Sequence, residues 1–131
     1  TRDPDLWPMR GKSGAARLAL QTGVPVIPAA SWGAQRILPR YGKRISLFPR
    51  KDVQTIVGDP VDLSRWAGRH ADPEALAEAT AAIMQAITAL VEELRGETAP
   101  AKRWDPAEHG QSEFGRLEGD RPRPRWRRPR T

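Results

Sequence analysis

Residues 12–33 read KSGAARLALQTGVPVIPAASWG, from Lys12 to Gly33, and this stretch decides the fold. Ala15, Ala16, Leu18, Ala19 and Leu20 spread over a broad helical face, with Arg17 and Gln21 left polar. Gly23 follows as a residue able to take the left-handed conformation that stops a helix. So many alanines predict close packing on a sheet. Val24-Pro25-Val26-Ile27-Pro28 then reads as a short apolar strand. Its two prolines remove two ladder donors, so it cannot be regularly paired on both sides throughout. Ser31, Trp32 and Gly33 close the stretch. Helix, turn, strand and a polar-aromatic end make half of an α/β unit, and ligands of open α/β sheets bind at such strand ends.

Outward from this stretch, residues 1–11 (TRDPDLWPMRG) read as an ordered loop, since Pro4 and Pro8 rule out a regular helix through them. Residues 34–44 form a basic connection. Ile45 to Phe48 and Val53 to Val57 read as two short strands, either a hairpin or neighbours, the second from its β-branched content. Asp72-Pro73-Glu74 is a helix start with an N-cap acid, a proline at the first position and an acid in the first turn. Leu76, Ala79, Ile83, Ile87, Leu90 and Leu94 recur at spacings of three and four until Gly96. They predict an amphipathic helix of about 23 residues that packs on the body of the domain. Its polar face is acidic, which disfavours a helix lying in a membrane surface. Its glutamates lead to the expectation that no segment of the chain crosses a membrane.

The net charge of +6 on 131 residues hides three blocks. Residues 1–71 hold 12 Lys/Arg against 5 Asp/Glu, residues 72–120 hold 4 against 11, and residues 121–131 hold 6 against none, giving +7, −7 and +6. After Gly96 the apolar periodicity stops. Residues 96–131 therefore form a disordered polar tail by composition, following a domain at residues 1–95. The tail ends in RPRPRWRRPR, residues 121–130, a segment suited to anionic lipid head groups or to nucleic acid. With no cysteine there is neither a disulfide framework nor a thiolate metal site, which fits a reducing compartment.

Gly11-Lys12-Ser13 imitates the end of a phosphate loop. That motif needs a glycine where Leu6 stands and a strand before it, so the reading fails. His70 and His109 are the two histidines, and neither has metal spacing to a second ligand. Neither Ser13 nor Ser31 lies in a nucleophile elbow. No catalytic set and no metal site is expected within these residues. What remains is a basic front loop (Arg2, Arg10, Lys12), the proline-bracketed strand and Trp32-Gly33. Their donors and shape suit an anionic acceptor.

Taken in order, Thr1-Arg2, the Pro8 loop, Lys12-x-Gly14-Ala15-Ala16-Arg17-Leu18-Ala19-Leu20, Gly23-Val24-Pro25-Val26-Ile27-Pro28 and Trp32-Gly33 closely resemble the downstream half of the lysophosphatidic acid acyltransferase family. The resemblance covers about residues 1–64 and is most specific from Lys12 to Gly33. It implies part of a glycerophospholipid acyltransferase domain, an α/β fold with a mixed sheet, flanking helices and a long C-terminal helix. It implies transfer of an acyl group from coenzyme A or acyl carrier protein to 1-acylglycerol-3-phosphate in phospholipid synthesis, with the thioester as co-substrate and no further cofactor.

In that family an H-x-x-x-x-D motif supplies the general base. Five residues after His70 is Ala75 and five after His109 is Phe114, so neither histidine fits. The chain is accordingly expected to be a C-terminal fragment, inactive alone, whose catalytic half lies upstream. Thr1-Arg2 match the end of the family's E-G-T-R motif, which is thought to hold the acceptor phosphate. Val24 to Pro28 match its V-P-[IV]-[IV]-P strand. The implied acceptor-phosphate residues are Arg2 and Lys12, and the implied pocket strand comprises Val24, Pro25, Val26, Ile27 and Pro28 with Trp32. The implied partners are the acyl donor, the lysophospholipid and a membrane surface, with nucleic acid not expected. The implied location is peripheral, on the cytoplasmic face of the cell membrane. The alternative is a non-catalytic protein that binds anionic lipid or nucleic acid through the arginine-rich tail.

Overall fold

Asp72 opens the longest element as its sequence requires. The Asp72 carboxylate accepts the Glu74 backbone N–H at 3.0 Å, Pro73 takes the first helical position, and helix α3 runs Pro73–Arg95. Gly96, at φ +66°, ends it by donating to the Glu92 carbonyl at 2.8 Å. The computed structural model describes residues 3–39 and 44–110. Before α3 come helix α1 (Gly14–Thr22), strand β1 (Ala29–Trp32), the one-turn helix α2 (Ala34–Ile37) and strand β2 (Gln54–Val57), then a 3₁₀ turn at Ser64–Trp66. A second 3₁₀ turn, Pro106–His109, follows α3.

Helix α3 is the spine. Ala75, Leu76, Ala79 and Ile83 bury against Ala16 and Leu20 of α1 and against Trp66. One turn from its end, Val91 buries with Trp7 and Ala30 of β1. Ala16 and Ala79, at 1% and 0% exposure, put small side chains among Leu20, Leu76 and Ile83 in the cluster that α1 and α3 share. Of the anticipated periodic positions, Leu76, Ala79 and Ile83 are buried and Ile87, Leu90 and Leu94 half-buried.

By length and composition alone α3 is apolar and long enough to be a membrane-spanning candidate, although the sequence reading expects no segment to cross. About 28% of its apolar window is buried inside the described fold, through the residues that pack on α1, β1 and Trp66.

The sheet departs from expectation. Among the described residues it has two antiparallel strands, pairing Ala29 with Val57 and Trp32 with Gln54, rather than a mixed sheet. Pairing begins only after Pro28, because Pro25 and Pro28 have no N–H to donate. Val24 to Pro28 is an extended lead-in whose Val26 and Pro28 carbonyls accept from Val61 and Gly58 at 2.8 and 2.9 Å. Val53 to Val57 forms β2 nearly as read. Ile45 to Phe48 is not a strand but an exposed loop, so the partner of β2 is β1, not its sequence neighbour.

The polar tail expected from residue 96 also begins differently. Ala99 is half-buried beside Val91, Pro106 is buried, and the Trp104 carbonyl accepts the Arg10 N–H at 3.1 Å. Residues 97–110 therefore dock on the body. Arg2 and the arginine-rich segment 121–130 lie outside the described residues.

Three turn aspartates hold their carboxyls below the ordinary range. The Ser64 hydroxyl and then its N–H bond Asp62, Arg69 and then the Glu74 N–H bond Asp72, and the Ala107 N–H ahead of Arg10 bonds Asp105. A carboxyl whose folded pKa is depressed contributes stability above its unfolded pKa, and that contribution is lost as pH falls through the folded value. Melting temperature should therefore hold steady near neutrality and drop once pH passes below about 4. Asp72→Asn should remove part of that drop. An acid limb identical in the variant and the parent would exclude Asp72 from the effect.

Candidate site: a basic-rimmed groove beside the long helix

Gly11 lets the front loop lie directly on α3. A Cβ there would come within 2.5 Å of Met84 Cγ and 3.1 Å of Thr80 Cγ2. The loop then runs past Lys12 and Ser13 into α1. On its other side Arg10 binds Asp105 at 3.2 Å, fastening the loop to the segment that returns after α3. Between loop, helix and returning segment lies a groove of about 800 Å³. That size suits a small-molecule ligand.

Its floor is α3, through Ala77, Thr80, Ala81 and Met84, with the core residue Leu76 at its edge. Its rim carries five cations, Arg10, Lys12, Arg17, Lys102 and Arg103, against two carboxylates, Asp105 and Glu108. Glu108 accepts from Lys102 at 2.7 Å, and this bond pushes the lysine pKa up. Nε of Arg103 is buried without a hydrogen-bond partner. An apolar floor under a net positive rim can hold an amphipathic anion. Aliphatic atoms would lie along α3, and the anionic group would meet the guanidinium and ammonium donors.

No histidine lines the groove. His109 stacks flat on Trp104 at 3.6 Å between ring centroids, a packing role, and His70 sits exposed before α3. Among the described residues no cluster of three or more potential metal ligands stands together.

Lys12 is on the groove rim, but none of Val24, Pro25, Val26, Ile27, Pro28 and Trp32 lines it. Val26 packs against the core, Pro28 is buried, and Val24, Pro25 and Ile27 are exposed. Trp32 instead holds the far end of α3. The Arg95 guanidinium lies 4.5 Å from the Trp32 ring centroid and 3.9 Å from that of Trp7. Ser31 faces outward and shares a hydrogen bond with Thr55 at 2.8 Å. The anticipated site thus separates into a cationic groove and a remote structural strand.

The sequence alone does not mark Arg17, Lys102, Arg103 or the α3 residues Ala77, Thr80, Ala81 and Met84 as parts of one site. A signal for the floor existed: Ala77, Thr80, Ala81 and Met84 recur at helical spacing on a face separate from the core positions. Comparison with protein families, curated proteins and solved structures finds no match for this chain.

Proposed function

We propose that this chain is the acceptor side of an O-acyltransferase that moves an acyl group from a coenzyme A or acyl carrier protein thioester to 1-acylglycerol-3-phosphate. The observation that carries the reading is the groove: a phosphate-directed cationic rim above an apolar floor, with Lys12 at its edge. The Lys12 to Gly33 resemblance supports it independently. In this reading the rim holds the acceptor phosphate and α3 supports the acyl-bearing glycerol. The general base comes from an H-x-x-x-x-D segment outside these residues. That base takes the acceptor hydroxyl proton as the oxygen attacks the thioester carbonyl. The C–S bond breaks, and the proton leaves with the thiol. The protein works at the surface of an anionic membrane, where its acceptor resides.

The coding sequence immediately upstream of Thr1 tests the reading first. It should continue in frame and encode H-x-x-x-x-D and then E-G-T next to Thr1; an in-frame stop would overturn the proposal. In the protein expressed from the whole gene, Lys12→Glu with Arg17→Glu should raise the acceptor KM about tenfold or more, as loss of charge-assisted bonds does. The donor KM should not move. A fall in kcat with unchanged acceptor KM would remove the groove from acceptor binding.

A further inference from the structure

Residues 44–51, Arg44 to Lys51, read RISLFPRK. Exposure there runs against residue type: Ile45 is 65% exposed, Leu47 60% and Phe48 85%. A single exposed apolar residue is ordinary, but three within four positions on a loop form a patch that normally has a partner. The loop is not loose. The Ser46 N–H donates to the Ile37 carbonyl at 2.8 Å and the Ser46 hydroxyl to the Phe48 carbonyl at 3.4 Å. These bonds hold Ser46 against the end of α2 while its apolar neighbours on both sides remain in solvent.

The charge around the patch identifies the partner. Arg44, Arg50 and Lys51 lie within the eight residues with no Asp or Glu among them, and Arg36 on α2 bonds the Asp52 carbonyl nearby. An aliphatic-aromatic wedge flanked by cations fits an anionic bilayer surface. Apolar side chains enter the head group–acyl boundary while Arg and Lys stay at the phosphate level. Each cation near such a surface adds to the attraction, and the pull weakens as salt screens it.

We propose that the Ile45–Phe48 loop is a membrane-insertion wedge, its side chains entering an anionic bilayer while Arg44, Arg50 and Lys51 bind the head groups. The inference deepens the membrane placement proposed above and rests on that part alone, not on acyl transfer.

These 131 residues hold no cysteine, so a thiol introduced among them carries the only label within them. Leu47→Cys in the full chain, bearing an environment-sensitive fluorophore, should shift to the blue on addition of phosphatidylcholine vesicles containing phosphatidylglycerol. It should stay unchanged with phosphatidylcholine alone. The same label at exposed Ala67→Cys should not respond. Adding Phe48→Ser to the labelled chain should weaken partitioning about tenfold, the scale expected for one large apolar side chain. Adding Arg44→Gln, Arg50→Gln and Lys51→Gln together should weaken it about a hundredfold.

A label at Leu47 that ignores anionic vesicles overturns the inference. So does one already blue-shifted before lipid is added, which means that protein covers the loop. Neither outcome bears on acyl transfer, and an in-frame stop upstream of Thr1 leaves the wedge intact.

Discussion

Gly33→Ala should destabilise the fold by about 3 kcal/mol or more, the largest effect expected of a glycine-to-alanine change among the described residues. Gly33 sits at φ +107° and ψ −24°, between the end of β1 and the start of α2. Alanine pays a strain penalty at that φ whatever the surroundings. Here the surroundings add a collision. The new Cβ would run into the Asp52 carbonyl oxygen and lie 3.1 Å from Val53 Cα, both on the backbone leading into β2. Backbone cannot rotate aside as a long side chain can, so the residues before β2 must retreat and the Trp32–Gln54 pair opens. Urea unfolding should show the loss as a lower midpoint at unchanged slope. Gly14→Ala makes the contrast: open space surrounds that position, and stability should hold or rise. Equal losses in the two variants would refute the steric account.

Arg95→Ala should cost about 2–4 kcal/mol, although arginines at helix ends are usually expendable. The side chain is only 11% exposed. It lies between the Trp7 and Trp32 rings, donates to the Asp5 carbonyl at 2.7 Å and bonds Glu97. One guanidinium therefore fastens three separate segments: the front loop, β1 and the end of α3. Truncation removes the stacking and leaves the Asp5 carbonyl short of a donor. Arg95→Lys keeps the charge but not the planar fork, and should recover less than half of the loss. Glu97→Gln, which leaves both stacked rings in place, should change little. Denaturant titration followed by tryptophan fluorescence reads all three. A loss below about 0.5 kcal/mol for Arg95→Ala would put it among ordinary surface substitutions.

What could be read from the sequence was what local chemistry decides. Asp72-Pro73 and Gly96 bound α3 because capping depends on a residue and its neighbours within one turn. Gly23 ended α1 for the same reason. The prolines at 25 and 28 have no N–H to donate, so Val24 to Pro28 pairs only through carbonyls and the regular strand starts five residues later, at Ala29. Ile45 to Phe48 has strand composition, yet nothing in it reveals whether a partner strand lies alongside. The groove was hidden because residues 9–17, 71–84 and 102–108 meet only through the fold. Of its cations the sequence singled out Arg10 and Lys12. The docking of residues 97–110 includes one carbonyl of Trp104 and one carboxylate of Asp105 reaching Arg10, more than 90 positions away. No periodicity records a contact of that separation.

Helix α3 contributes to both apolar clusters, and it comes late in the chain. That placement fixes the order in which the fold can close during synthesis. Trp7, Leu20 and Ala30 leave the ribosome well before the residues that will cover them. The cluster around Ala16 waits for Ile83, and that around Trp7 waits for Val91. A nascent chain halted between these two positions could close the first cluster and not the second. Its front loop would be without its seat, and Trp7 and Trp32 without the arginine between them.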